Sequence, residues 1–222
     1  MARKATQSRR TPLTRERVLR AAVALADENG IDALTMRRLA SELGVEAMSL
    51  YNHVENKDEL LAGILGLVAS EVELPEDDDW KLAIRRHAIS DRDTSLRHPW
   101  ASALGMSRRS GGASQVRSAD WLLRTLREAG LPKELTYHAF HIVQSYVLGY
   151  TLQQLNFPHE GEELAGMAAA FLAKLPSDEF PDFVEHVHQH LEPHDDEEGG
   201  FELGLDLILD SLERLRDAAT SR

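Results

Sequence analysis

The chain has 222 residues, of which 42% are hydrophobic and 28% are charged, and its formal net charge is −12. These fractions are close to globular averages and exclude a wholly disordered chain, while the length suits one or two domains. The absence of cysteine excludes disulfides, thiol nucleophiles and cysteine zinc sites. No apolar run is long enough to span a bilayer, and no signal-peptide core follows the basic start. We expect a cytoplasmic protein with no membrane partner.

Basic side chains are concentrated at the N-terminus. Residues 1–20 contain seven Lys and Arg against one acid, whereas residues 61–222 contain fifteen basic and twenty-eight acidic side chains. A basic end on an acidic chain indicates one surface for a polyanion. A solvated tail explains residues 1–10 equally well. Residues 1–12 have no periodicity, so we predict a flexible basic arm there.

Four short helices are predicted after this arm, because apolar residues recur at helical spacing between capping and breaking residues. They cover residues 14–29, 36–43, 46–53 and 56–73. The fourth begins with a capping box, in which Asn56 caps the helix and Glu59 follows three residues later. Pro75 and the four acids after it then mark a domain boundary.

The rest of the chain is also predicted to be helical. One helix begins near Trp80 and is interrupted at His98-Pro99. Further helices are predicted over residues 113–129, 132–155, 160–174, 180–191 and 201–219, with an acidic loop at 194–200. No segment alternates with a period of two, so we predict an all-α fold.

Residues 35–54 are typical of a helix-turn-helix, since an amphipathic helix, a tight turn and a second short helix follow one another. Two helices that cross steeply bring their backbones close, which requires a small residue such as Gly44 at the turn. The apolar residues that close the small core are Leu39, Leu43, Val45 and Leu50. The second helix can then present side chains to a major groove.

Residues 14–60 resemble the DNA-binding domain of the TetR/AcrR family of transcriptional regulators. The resemblance is carried by Ala21-Ala22, Leu25-Ala26, Gly30, Leu34-Thr35, Arg37–Ala40, Leu43–Val45, Leu50–Val54 and Asn56-Lys57. It continues into residues 201–213, which are similar to the C-terminal helix of the tetracycline-repressor branch. The resemblance implies a three-helix DNA-binding domain at 13–74 and a helical ligand-binding and dimerisation domain at 75–222.

The resemblance also implies which side chains meet DNA: Thr35, Arg37, Ala47, Ser49, Tyr51, His53 and Lys57. Thr35 and Arg37 would meet phosphates or base edges, and Ala47 and Ser49 would face bases. Tyr51, His53 and Lys57 would bind phosphates. The alternatives are an ordinary half-buried aromatic for Tyr51 and a surface histidine for His53. Ala47 has no amide and Met48 replaces a proline of tetracycline repressors, so the operator sequence does not carry over.

Two C-terminal helices are apolar on several faces. In the last helix a spacing of 4, 3 and 4 residues is typical of a seam for a partner helix, and one face of the long helix is equally apolar. The predicted dimer-interface residues are Val143, Val147, Tyr150, Phe201, Leu205, Ile208 and Leu212. The resemblance implies a homodimer held by a four-helix bundle across a two-fold axis. The alternative is that these faces are buried within one subunit.

Aromatic walls with a few polar groups are typical of small-molecule sites. The candidate effector-binding residues are His87, Trp100, Trp121, His138, His141 and Gln144. Ordinary helical cores have the same mixture, so a packed core, and with it a ligand-independent regulator, is the alternative. Gly105 stands near the point where tetracycline repressors carry a magnesium-binding histidine, which disfavours a magnesium-tetracycline effector.

We expect neither a metal nor a cofactor. His186 and His190 are four residues apart, but no HExxH pattern accompanies them, and with His188 and His194 they are more typical of a surface cluster. The sequence contains no P-loop, no glycine fingerprint and no nucleophile with its base, so an enzyme is not expected. The predicted function is a homodimeric transcriptional regulator, a repressor that a small molecule releases from operator DNA.

Overall fold

The computed structural model describes residues 12–108, 113–157, 161–176, 179–189, 191 and 199–221. Across these residues the chain forms eleven α-helices and one short 3-10 helix, and no strand. This confirms the all-α prediction. None of the helices in the described ranges is long and apolar enough to cross a membrane. The predicted arm, apart from residue 12, and residues 194–198 of the predicted acidic loop lie outside the described residues.

The helices are α1 (Arg15–Asn29), α2 (Met36–Leu43), α3 (Ala47–Leu50), α4 (Lys57–Ala69), α5 (Trp80–Arg97), α6 (Pro99–Arg108), α7 (Ala113–Glu128), α8 (Lys133–Asn156), α9 (Gly161–Leu172), α10 (Pro181–Gln189) and α11 (Gly199–Thr220). The main differences from the predictions concern four of them. Helix α3 ends three residues earlier than expected. Helix α4 ends four residues earlier than expected, α11 begins inside the predicted acidic loop, and α6 was not predicted. The sequence feature that could have indicated α6 is Pro99, because proline suits the first position of a helix.

The chain divides into two compact units. The N-terminal unit extends to Glu71 and also includes Arg97–Val116, whereas the C-terminal unit contains Val72–Leu96 and Arg117–Arg222. This division differs from the predicted domains at 13–74 and 75–222, because the segment that contains α6 packs with the first four helices. The core of the N-terminal unit accordingly includes Trp100 and Ala101 of α6.

The N-terminal unit is built around α1 and α4, which pack on each other. Val18 and Ala22 of α1 and Ile64 of α4 are completely buried. Helices α1 and α2 begin with a side-chain cap. The Thr14 and Thr35 hydroxyls accept hydrogen bonds from the backbone N–H groups of Arg17 and Arg38, which satisfies donors that a helix start would otherwise leave unpaired.

The C-terminal unit has its own core, in which α8 packs against α11. Ion pairs attach α5 to α11. The Arg85 guanidinium pairs with Glu202 and Asp206, and the Lys81 ammonium pairs with Asp210 and Glu213. The partners on α11 recur at spacings of three and four residues, so they follow one face of the helix.

Candidate DNA-binding and effector sites

Helices α2 and α3 form the helix-turn-helix that the sequence predicted. Gly44 ends α2 in the left-handed region, with φ of 65°, where a side chain would be strained. The following N–H, that of Val45, donates to the Ala40 carbonyl at 3.0 Å. Leu39 of α2 and Leu50 of α3 are completely buried in the core of the N-terminal unit. The turn therefore fixes the direction in which α3 and the residues after it are presented.

The segment after the turn is only four helical residues long, and Tyr51–His53 continue it as a turn. Tyr51 is 44% exposed, and Ala47, Ser49 and His53 are half-buried. The side chain of Ala47 packs against the core of the N-terminal unit. Of the four predicted groove-facing residues, Tyr51 is thus the most accessible to a partner.

Thr35 and Arg37 lie at the start of α2, and both are exposed. The Thr35 hydroxyl accepts from the backbone N–H of Arg38 at 3.1 Å. Since a hydroxyl can accept and donate together, its own proton stays available for a phosphate oxygen. Arg37, two residues further on, adds a guanidinium that suits bidentate phosphate recognition.

Lys57 is exposed at the first position of α4. Asn56 caps this helix by accepting from the Glu59 N–H at 2.8 Å. The Glu59 carboxylate in turn accepts from the N–H of Glu55 at 2.6 Å, one residue before the position that a standard capping box would use. This backbone donor, together with the Arg15 guanidinium, lowers the pKa of Glu59 below its ordinary value. The start of α4 is therefore fixed, and its lysine remains free to meet a phosphate.

A polar cluster that the sequence did not predict links α1 to α6 within the N-terminal unit, with buried rings of His98 and Trp100 and more exposed carboxylates of Asp27 and Glu71. Asp27 of α1 accepts from the indole N–H of Trp100 at 2.7 Å and lies 2.8 Å from Nδ1 of His98. The other ring nitrogen of His98 lies 3.3 Å from the Glu71 carboxylate. Trp100 was a candidate effector contact. Its buried indole is instead engaged inside the N-terminal unit, so the structure gives it a packing role.

The effector candidates of the C-terminal unit are not all in one place. His87 of α5 and Trp121 of α7 are buried, with ring centroids 4.5 Å apart. The Trp121 indole N–H donates to the Pro75 carbonyl at 3.2 Å. His138 and His141 are exposed on α8, where both contact the Tyr137 ring, and Gln144 is half-buried. His87 and Trp121 are thus the two candidates that the structure brings together.

The hydrogen bonds of His87 indicate which of its ring nitrogens carries a proton. Its Nδ1 lies 2.6 Å from the Glu73 carbonyl, which can only accept, so this nitrogen carries the proton. Nε2 then accepts from the Ser118 hydroxyl at 3.1 Å. Burial lowers the pKa of His87 and raises the pKa of Asp91 one turn along α5. In both cases burial favours the uncharged form of the side chain.

No group of three metal-ligating side chains occurs in the part of the chain that the structure describes. His186 and His188 lie on α10. His190 and His194, the other members of the histidine cluster, lie outside the described residues.

Comparison with known proteins identifies the chain. Residues 18–64 match the family of bacterial regulatory proteins named tetR, and residues 73–216 match the tetracyclin repressor-like C-terminal domain. The chain belongs to the TetR family. The transcriptional repressor DrrR1 of Streptomyces coeruleorubidus is 32% identical over 96% of this chain and 82% of its own length. As a TetR-family member the chain is a DNA-binding transcriptional regulator and not an enzyme.

Solved structures agree with this assignment. ActR of Streptomyces coelicolor, solved in complex with actinorhodin, superimposes with a TM-score of 0.74 at 31% identity, covering 93% of this chain and 99% of ActR. BioQ, solved with its double-stranded DNA operator, superimposes with a TM-score of 0.59 at 27% identity over 90% and 98% of the two chains. The fold of this TetR-family chain is thus one that has been seen with DNA and with a ligand.

The predicted dimer seam has a different place in the structure. Five of its seven residues are at most 5% exposed in the single chain: Val143, Val147, Phe201, Leu205 and Leu212. They form the contact between α8 and α11, and they have almost no surface left for a second subunit. Tyr150 and Ile208 are half-buried against the same core. The 4-3-4 spacing of α11 therefore marks a packing seam within one chain, as in the alternative interpretation given above.

The same two helices also carry large apolar side chains that are exposed. The exposed residues are Tyr137, Ile142 and Leu148 on α8 and Leu203, Leu207 and Leu215 on α11, with exposures between 39% and 64%. The sequence signal was present in Leu203 and Leu207, which lie off the 4-3-4 spacing.

Proposed function

We propose that this TetR-family chain is a homodimeric repressor, which binds operator DNA through two helix-turn-helix units and leaves it when a small molecule binds the C-terminal unit. It would act in the cytoplasm, where a bacterial regulator meets the chromosome. The observation that carries the proposal is a set of three exposed side chains in the N-terminal unit. Arg37 lies at the start of α2, Tyr51 just after α3, and Lys57 at the start of α4.

In this proposal the seven predicted DNA contacts have different roles, according to how exposed and how long each side chain is. The exposed cations Arg37 and Lys57 bind phosphates on either side of the groove, with the Thr35 hydroxyl as a further donor. Tyr51 and His53 contact the sugar-phosphate backbone at the end of α3. Ala47 and Ser49, being half-buried, approach base edges only through small atoms. The phosphate contacts fix the register of the helix in the groove and supply most of the salt-dependent affinity.

The dimer in this proposal uses the exposed apolar faces of α8 and α11. Six large apolar side chains on two adjacent helices form a surface that a soluble monomer rarely leaves open. A second copy presents the same faces and so covers them symmetrically. Two helix-turn-helix units related by a two-fold axis predict a palindromic operator, with half-sites separated by roughly 34–36 Å or slightly more.

The effector in this proposal contacts the His87 and Trp121 rings. A neutral His87 whose Nδ1 proton is held by a carbonyl can accept at Nε2, where Ser118 now donates. A ligand hydroxyl or N–H can replace that donor while an apolar body covers the indole. We therefore propose an effector that is mostly apolar and carries one or two hydrogen-bond donors. It releases DNA if it prefers a dimer in which the helix-turn-helix units are wrongly spaced.

Two lysines allow a matched test of the DNA surface. Lys57 and Lys133 are each the first residue of a helix and are each exposed, on α4 of one unit and α8 of the other. We expect Lys57→Ala to weaken operator binding and to lower the salt slope by roughly one counterion per subunit, because a phosphate contact is lost. The measurement is fluorescence anisotropy with operator DNA at several salt concentrations.

Lys133→Ala is the control and should leave both the affinity and the salt slope unchanged. Tyr51→Phe and Tyr51→Ala divide the contribution of the tyrosine into hydroxyl and ring. If Lys57→Ala and Tyr51→Ala both bind operator as tightly as the wild-type chain, with the same salt slope, the DNA surface proposed here is wrong.

A further inference from the structure

Met48 has the largest exposure of the large apolar side chains in the described residues. It is 75% exposed, and it lies in the first turn of α3 between the half-buried Ala47 and Ser49. Leu50, two residues later, is completely buried in the core of the N-terminal unit. Two residues correspond to about 200° of rotation on a helix. Met48 therefore points almost directly away from the core and marks the outermost edge of α3.

A single exposed apolar residue on a protein surface is ordinary, so the position of Met48 is what gives it meaning. In helix-turn-helix proteins the second helix enters the major groove, and its N-terminal residues contact base edges. Ala47 is small and packs against the protein core. Of the first three residues of α3, Met48 thus combines the longest side chain with the greatest exposure.

The chemistry of methionine limits what it can recognise in the groove. A thioether has no hydrogen-bond donor and is only a weak acceptor, so it cannot use the polar edges of guanine, cytosine or adenine. The apolar feature of the major groove is the C5-methyl group of thymine. An unbranched side chain with three rotatable bonds can adapt to the position of that methyl group.

We propose that Met48 contacts the C5-methyl group of one operator thymine in each half-site and so helps to set sequence specificity. The inference rests on the DNA-binding function of the family and adds a base-reading residue to it. Burial of one methyl group against an apolar side chain is worth about a fourfold change in affinity. Because a dimer makes the contact twice, loss of both methyl groups should weaken binding by roughly sixteenfold.

The test uses uracil, which differs from thymine only in the missing C5-methyl group. The full-length wild-type chain first selects its operator from random DNA in vitro. Each thymine of that operator is then replaced by uracil, one symmetric pair at a time, and the affinity is measured. We expect one pair at which wild type loses roughly sixteenfold, and at which Met48→Ala binds the thymine and uracil operators equally.

Two variants separate this contact from a general effect on the protein. Met48→Leu keeps an apolar side chain and should retain much of the preference for thymine. Met106→Ala removes an exposed methionine from α6 in the same unit and should behave as wild type. The proposal is overturned if no uracil pair weakens wild type, or if Met48→Ala keeps the full wild-type preference. Selection of no operator at all contradicts DNA binding itself, which is a separate failure.

Discussion

The two units of this chain differ in how directly sequence leads to function. Around the helix-turn-helix of the N-terminal unit, most residues have one plausible place. The apolar positions Leu39 and Leu50 are buried, and the polar and cationic positions Arg37, Tyr51 and Lys57 are exposed. Helices of four to fifteen residues joined by capped turns leave little choice of register. Once the turn at Gly44 is recognised, the surface that we propose for DNA follows.

In the C-terminal unit the same apolar side chain has several possible places. A leucine on α8 or α11 can pack within the chain, against a second copy or beside a ligand, and hydrophobicity does not distinguish among these. Leu205 and Leu207 show the difficulty, because they are two residues apart on α11, yet the first is completely buried and the second is 60% exposed. Substitutions at these two positions test the comparison most strongly.

The largest effects are expected from aspartate at these two leucines. Leu205→Asp places an unpaired carboxylate in the core, which should cost about 4 kcal/mol or more and unfold the C-terminal unit. Leu207→Asp should leave the monomer folded and separate the dimer, because its charge lies on the face that we propose is covered by a second copy. Circular dichroism measures the folding and sedimentation measures the assembly.

Leu82→Asp on α5 is the control for Leu207→Asp, since Leu82 is also exposed and lies outside the α8 and α11 faces. It should remain dimeric. A wild-type monomer at micromolar concentration, or a Leu207→Asp variant that stays dimeric like the control, would show that these faces are not the interface.

An intermediate effect is expected in the N-terminal unit from the loss of Asp27. One carboxylate oxygen of Asp27 lies within hydrogen-bond distance of both the Trp100 indole N–H and His98 Nδ1. Asp27→Ala removes that acceptor from both nitrogens, and because the carboxylate is partly open to water the free energy of unfolding should fall by about 1–3 kcal/mol. Urea denaturation measures the change.

Asp27→Asn is the matched control, because its amide oxygen can still accept from one of the two donors, and it should lose less stability than Asp27→Ala. If Asp27→Ala is as stable as the wild-type chain, the cluster does not hold α1 and α6 together.

This cluster also shows where prediction from the sequence ends. The helices around the turn follow from local rules, since Thr14, Thr35 and Asn56 are caps that can be read within a few residues. Asp27 and Trp100 are 73 residues apart. Their contact depends on which helices pack together, and no local pattern encodes that. The sequence therefore suggests a ligand contact for Trp100, whereas in the structure its side chain packs inside the N-terminal unit.

The same limit explains the dimer seam. A 4-3-4 spacing shows that one face of α11 meets another helix, but it does not show whether that helix belongs to the same chain. Only the burial of Phe201 and Leu205 against the unit's own core decides the question. The proposed DNA contacts Arg37, Tyr51 and Lys57 are less ambiguous, because side chains that meet a polyanion are polar and exposed, a pattern that the core of a folded unit does not share.

The smallest effect concerns the pH dependence of the C-terminal unit. Burial lowers the pKa of His87, so the folded imidazole resists a proton that the unfolded chain accepts near pH 6.5. Below that pH the unfolded state binds more protons than the folded state, and stability is lost as the pH falls. The loss is at most about 1.4 kcal/mol per pH unit. The raised pKa of Asp91 acts with the opposite sign, because its folded carboxyl takes a proton at a higher pH than the unfolded one.

Comparison of wild type with His87→Gln isolates the histidine, since Asp91 is present in both chains. We expect the variant to be less stable at pH 7.5, because its amide replaces the aromatic contact with Trp121, but to lose less stability between pH 7 and pH 5.5. Urea denaturation at several pH values gives both quantities. Equal losses in the two chains over that range would mean that His87 takes up its proton as easily in the folded unit as in water. Its place among Glu73, Ser118 and Trp121 would then not hold it neutral for an uncharged effector.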